Sequence, residues 1–147
     1  MRKIIPPLFV FACLVLMGTI HFLFRPERQI HFPLNTTGIL FIIVGLTMII
    51  WVGQLFKKIK TEIHTFKDPG RLVTEGLFQY SRNPIYLGFE LLLTGFSILS
   101  GTYISFVFPV AFFLVANFWY IPIEEENMKR IFGNKYSEYR SRTRRWI

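Results

Sequence analysis

Two long apolar runs, Ile4 to Phe24 and Gly38 to Phe56, constrain this chain more than any other feature of it. Each is close to the ~20 helical residues that cross ~30 Å of hydrocarbon. A segment in lipid has to satisfy its own backbone hydrogen bonds, so both are expected to be helices. The first follows Arg2 and Lys3 as the core of a signal peptide would. It is longer than a normal signal core and has no small-residue cleavage site near Arg25, so it is expected to be retained as span one. With 52% hydrophobic residues, 18% aromatic residues and a mean hydropathy of +0.39, the 147 residues carry more apolar surface than a soluble core of that size hides.

From Ile85 to Pro122 the only formal charge is Glu90, and the length suits two helices joined by a tight turn at Ser100-Gly101-Thr102. Spans three and four are therefore placed at about 85–99 and 102–121. Pro109 is expected to kink span four and Pro122 to mark its exit from the membrane. Pro6 and Pro7 lie in the first turn of span one, where a missing N–H costs little. The expected fold is all-α: one polytopic unit of four transmembrane helices with a loop at 57–84 and a short helical tail at 122–147, and with no internal repeat or separate soluble domain.

Basic residues orient it. Fifteen of the 17 Lys and Arg fall before span one, in the 57–84 loop or after Pro122, and two fall between spans one and two. The positive-inside rule then places both termini and the long loop in the cytoplasm: the inner membrane of a bacterium, or the endoplasmic reticulum of a eukaryote. The net charge of +8 suits anionic lipid or acidic ligands. It does not suit nucleic acid as well, because the basic residues flank apolar runs instead of lining a polar face. The single cysteine, Cys13, lies in an apolar run, which excludes an intrachain disulfide framework and a cysteine-cluster metal site. His21, His31 and His64 are too scattered for a zinc motif, so no metal is expected. The glycine fingerprint of soluble dinucleotide-binding domains is absent.

Two segments carry candidate chemistry. The loop ends in Gln79-Tyr80-Ser81-Arg82-Asn83-Pro84-Ile85-Tyr86-Leu87-Gly88. Asn83 as N-cap and Pro84 as first helical residue account for that pair structurally; the same helix N-terminus, with Arg82 beside it, also suits a carboxylate or phosphate. After span four comes Ile123-Glu124-Glu125-Glu126-Asn127-Met128-Lys129-Arg130-Ile131-Phe132-Gly133. A solvated helix with i,i+4 pairs Glu125 to Lys129 and Glu126 to Arg130, stopped by Gly133, explains it. Alternatively, an isolated acidic cluster at the membrane edge suits ribose hydroxyls or a cationic ligand.

Together these segments resemble the integral-membrane methyltransferase family that includes isoprenylcysteine carboxyl methyltransferases and phosphatidylethanolamine N-methyltransferases. The resemblance runs from about Thr61 to Ile147. It rests on Leu72-Val73-Thr74-Glu75-Gly76-Leu77-Phe78, then Ser81 to Gly88, then Glu124-Glu125 with Met128, Phe132-Gly133, Tyr136, Tyr139 and Arg145-Trp146. It implies an enzyme using S-adenosylmethionine, held at the cytoplasmic face by Arg82, Asn83, Pro84, Tyr86 and Gly88 with Glu124 and Glu125. Asn83 stands where the family often has histidine, so a role needing imidazole does not carry over while hydrogen bonding does. Leu77 replaces the proline of the usual turn, which affects loop stiffness more than chemistry.

A sulfonium methyl donor is already activated, so the protein has chiefly to align the reacting atoms and exclude water, and no catalytic residue is assigned. The acceptor is expected to be lipophilic or small and amphipathic, reached through the membrane lipids. Glu90 and Arg145 are the candidates on the substrate side. A carboxylate at depth is a functional hypothesis in itself, although Glu90 also lies within about two turns of the cytoplasmic end. Arg140, Arg142 and Arg144 suit anionic headgroups. The run Phe106 to Tyr120 is read as lipid-facing and core packing, with Trp119 and Tyr120 as interfacial anchors. A small exporter of cationic compounds built around Glu90, and a membrane reductase on a related scaffold, are the alternatives.

Overall fold

The structure, a computed structural model, describes residues 5–58 and 70–147. Arg2, Lys3, Lys60 and Lys67, four of the residues behind the expected orientation, lie outside the described residues, as do Ile4 and His64. The described residues form six α-helices: α1 (Pro6–Phe24), α2 (Thr37–Lys58), α3 (Pro84–Ser100), α4 (Val107–Val115), α5 (Ile121–Phe132) and α6 (Asn134–Arg142). A 3₁₀ turn (Tyr103–Phe106) leads into α4 and a π turn (Ala116–Tyr120) joins α4 to α5, making one continuous rod of 30 residues.

Among the described residues three helices are long and apolar enough to cross a membrane: Pro6–Phe24, Leu34–Lys58 and Tyr103–Phe132. The third expected span, α3, is apolar but has only 17 residues, about 25 Å at 1.5 Å per residue. It is held by its neighbours. Gly38 faces Gly95 and Gly45 faces Gly88, seven residues apart on both helices, so that α2 and α3 run antiparallel with their backbones almost touching. A Cβ on Gly45 would lie 2.6 Å from the Gly88 carbonyl oxygen, and one on Gly88 would lie 2.8 Å from Ile49 Cγ1. Only glycine permits that approach.

The turn between α3 and the long rod falls where the sequence puts it. Gly101 adopts φ +76, and its carbonyl accepts the N–H groups of Gln29 and Ile30 at 2.8 and 2.9 Å. Pro109 sits in the third position of α4. The N–H it lacks would have reached the Ser105 carbonyl, four residues earlier; the Ser97 hydroxyl of α3 donates to that carbonyl at 2.9 Å.

Pro122 does not end the rod. It occupies the second position of α5, just after the π turn, and the helix continues to Phe132 before Gly133 stops it at φ +51. The wide turn supplies the slack that the proline ring needs, because the strict i→i−4 ladder is already interrupted there. At 30 residues the rod is about 45 Å long, roughly 15 Å more than the hydrocarbon core. Its last turns, with Glu124 and Glu125, can therefore project beyond the membrane.

The main core lies among α1, α3 and the rod. Phe112 and Leu93 are fully buried, and Phe112 is ringed by Phe9, Tyr86 and Phe89 with centroids 6.0–6.3 Å away. Helix α1 contributes one stripe, Val10, Cys13 and Met17, at the i, i+3, i+7 spacing of a single helix face; Phe11, Val15, Leu16 and Phe22 are exposed, as lipid contact requires. Of the two expected interfacial anchors Trp119 is exposed, but Tyr120 is buried at 5% and belongs to the core, stacked on Tyr86.

Candidate functional site

The cleft forms where α1, α3 and α5 begin and where α2 ends. The chain reaches it through a loop pinned to α2: Gly76, at φ +64, lies so close to the Trp51 ring that a Cβ would overlap it. The 3₁₀ turn Gly76–Gln79 follows, and the Tyr139 hydroxyl donates to the Phe78 carbonyl at 2.7 Å. Ser81 Oγ then accepts the Asn83 N–H at 3.1 Å, a serine turn that aims the backbone into α3. Asn83 holds the N-cap position, yet its side chain makes no capping bond. Instead Asn83 Nδ2 donates to the Arg145 carbonyl at 2.9 Å.

That bond is one of several that bind residues 140–146 to the start of α3. The Arg82 N–H donates to the Arg144 carbonyl at 3.0 Å. One Arg82 terminal nitrogen donates to the carbonyls of Arg140 and Thr143 at 3.1 and 2.7 Å, while the other meets Glu125 Oε1 at 2.6 Å. Arg145 takes the other oxygen, Oε2, at 2.7 Å, and also reaches Asn117 in the π turn. Trp146 Nε1 donates to Asn117 Oδ1 at 3.2 Å, and its ring stacks on Phe113.

Glu125 therefore pairs with Arg82 and Arg145, and the expected exposed pairing with Lys129 gives way to it. Burial is the reason. The Glu125 and Arg82 side chains are 10% and 9% exposed, and a carboxylate so enclosed needs charged donors on both oxygens. Burial pushes its carboxyl up, but hydrogen bonds and charges from Arg145 and Arg82 more than offset this and leave it below the usual carboxylate range. Burial and the nearby Glu125 charge push the Tyr136 hydroxyl up to about 12. Tyr139 is raised as well, by burial first and then by Tyr136.

Above this clamp lies a cleft of about 1110 Å³ including its open mouth, in the range of small-molecule sites. Six of the seven residues expected at the cofactor line it: Arg82, Asn83, Pro84, Tyr86, Glu124 and Glu125. Tyr86 donates its hydroxyl to Glu124 Oε1 at 2.8 Å, which joins the two sequence motifs directly. Arg82 Nε is buried and has no hydrogen-bond partner among the described residues. Gly88, the seventh, is not a lining residue; it faces Gly45 in the α2–α3 seam.

The substrate-side candidates are not brought into the cleft. Arg145 is occupied by Glu125 and Asn117, and Glu90, on α3, has a buried Oε2 with no hydrogen-bond partner among the described residues. Sequence reasoning missed the apolar walls. Pro6 and Pro7 of α1, Phe56 of α2, Val73 and Phe78 of the loop and Met128 of α5 all line the cleft, as do Arg71 and Asn127. It also missed Asn117, whose oxygen anchors Trp146. The two prolines open α1, and a wall so far from the motifs in sequence carries no local signal.

Comparison with known proteins gives a family for the chain. The family model described as phospholipid methyltransferase matches residues 34–135. Protein-S-isoprenylcysteine O-methyltransferase B of Arabidopsis thaliana is 34% identical over 129 residues, 81% of this chain and 61% of that one. A probable protein-S-isoprenylcysteine O-methyltransferase of Oryza sativa subsp. indica is 28% identical over 121 residues, 78% of this chain and 61% of its own. The chain thus spans about three fifths of the length of these relatives. No solved structure matches.

Proposed function

The chain belongs to the phospholipid methyltransferase family, and from that premise we propose that it transfers a methyl group from S-adenosylmethionine to a lipophilic or small amphipathic acceptor at the cytoplasmic membrane face. The observation that carries the reading is Arg82: a side chain 9% exposed, lining the cleft, whose buried Nε–H finds no acceptor among the described residues. A buried donor left unmade costs about 1–3 kcal/mol. A carboxylate-bearing ligand in the cleft would supply the missing acceptor.

The residues present fit the cofactor. Glu124, oriented by Tyr86, would accept ribose hydroxyls, and Asn83, Pro84 and Met128 line the same cleft. Glu125 acts on the site through Arg82 and Arg145, which it fixes. The cofactor, when bound, supplies an activated methyl group on a sulfonium. The protein's part is to hold donor and acceptor in line and keep water out. The apolar walls from Pro6, Phe56, Val73, Phe78 and Phe89 exclude water, and an acceptor with a long tail can approach between helices from the bilayer. We read the chain as one membrane-embedded unit whose short α3 completes a fourth crossing beside α2, with both termini in the cytoplasm.

Calorimetric titration of the purified full chain with S-adenosylhomocysteine, set beside NADPH, tests this. Saturable binding of the first and none of the second is expected. Binding of NADPH alone would overturn the reading.

A further inference from the structure

We propose that anionic headgroups of the adjoining leaflet hold residues 140–147 down as an arm, and that this contact completes the cleft. The proposal rests on the cofactor reading and the orientation above, and adds a lipid partner to both.

The arm has two faces with different tasks. Its backbone faces inward: the carbonyls of Arg140, Thr143, Arg144 and Arg145 accept hydrogen bonds from Arg82 and Asn83 at 2.7–3.1 Å. Its arginine side chains face outward. Arg140, Arg142 and Arg144 are exposed. Arg142 pairs with Glu138, but the guanidinium groups of Arg140 and Arg144 have no acidic partner among the described residues. Two unbalanced cations thus sit on the segment whose main chain holds Arg82 in place.

The arm's tip shows where these cations lie. Trp146 stacks on Phe113 of the rod with centroids 5.2 Å apart, and Ile147 is 73% exposed. Phe113 is itself 39% exposed, beside exposed Val110 and Leu114, on the outer face of an apolar helix long enough to cross a membrane. Apolar residues at the arm's end therefore reach the flank of a membrane-crossing helix, which leaves Arg144, two residues earlier, at headgroup level. An arginine there gains about a fivefold preference for an anionic leaflet. Because the arm's carbonyls fix Arg82 and Asn83, whatever stabilises the docked arm must also raise affinity in the cleft, and the coupling is reciprocal.

The test uses the full chain in nanodiscs of phosphatidylcholine, with or without one third phosphatidylglycerol. Hydrogen exchange of residues 81–87 and 140–147 is followed alongside S-adenosylhomocysteine binding. Anionic lipid is expected to slow exchange in both segments and to tighten binding several-fold, with both effects fading at high salt. Arg140→Gln with Arg144→Gln should remove the lipid dependence, and the Lys pair at the same positions should keep it. Equal exchange in the two bilayers would overturn the proposal, as would inorganic phosphate reproducing the protection in phosphatidylcholine alone. Lipid-dependent protection without S-adenosylhomocysteine binding in either bilayer would support the arm and overturn the cofactor reading instead.

Discussion

Arg82 and Glu125 meet at 2.6 Å with both side chains about nine-tenths buried, one at the mouth of α3 and the other a turn into α5. Neither helix could shift along the other without parting that pair, and the Tyr86–Glu124 hydrogen bond holds the same register between the two motif-bearing elements. Glu125→Gln keeps size and helix propensity but strands two arginines, Arg82 buried and Arg145 part-buried. Breaking a buried pair from one side costs about 3–5 kcal/mol. Thermal unfolding in detergent should show a large loss, and a melting temperature within a degree of wild type would contradict the clamp.

The same carboxylate sets an acid limit. Its folded pKa lies below the ordinary value of 4.5, so its contribution to stability is fully present above about 4.5 and is lost as the pH falls through the lower folded value. Stability measured between pH 6 and pH 3 should fall at the acid end. In Glu125→Gln that part of the slope should disappear, and an unaltered slope would assign acid sensitivity to other groups.

Asn83→Asp separates a cap from a cross-link. A capping role predicts unchanged or improved stability, since aspartate caps as well as asparagine. In the structure the Asn83 amide donates to the Arg145 carbonyl, and a carboxylate there has no proton to give. The variant should lose about 1–3 kcal/mol and bind S-adenosylhomocysteine more weakly. Full stability in a denaturation curve would restore the cap.

Tyr86→Phe removes the hydroxyl that holds Glu124 and keeps the ring that stacks on Phe112 and Tyr120. A hydrogen bond to a charged group is worth roughly 1.5–3 kcal/mol. Stability should fall by no more than that amount, and S-adenosylhomocysteine affinity should drop about tenfold or more. An unaltered dissociation constant would take Glu124 out of the cofactor's contacts.

Gly45→Ala and Gly88→Ala should differ in a defined direction. The new methyl at Gly45 meets backbone, the Gly88 carbonyl at 2.6 Å and the Leu92 nitrogen at 2.9 Å, whereas at Gly88 the nearest atom belongs to the Ile49 side chain. Overpacking costs about 1–3 kcal/mol, and the Gly45 variant should be the less stable of the two. Should Gly88→Ala abolish cofactor binding at full stability, Gly88 would belong to the cleft after all.

The helices and the turn at Gly101 were legible in the sequence because each depends on local features: apolar length, charge-free runs and a glycine that tolerates positive φ. The motif residues were legible for a related reason. Ser81 to Tyr86 and Glu124-Glu125 lie at neighbouring helix ends on one side of the bundle, so placing the helices brings them together. What Glu125 binds was not legible, because its partners are 43 and 20 residues away and the i,i+4 lysine is the nearer choice on paper. Tyr120 reads as an interfacial anchor beside Trp119 until the π turn rotates it into the core.

That turn has a consequence for spacing. A π turn inserts one residue into the helical count, which rotates everything downstream by about 100° relative to a regular α-helix. Phe112 faces the core before it, and Glu124 and Glu125 face the cleft after it, so the two halves of the rod are out of phase by that one residue. Deleting a single residue between Ala116 and Tyr120 would leave the rod helical, apolar and long enough to cross the membrane. It would also turn both glutamates through more than a quarter of a circle, away from Tyr86 and Arg82.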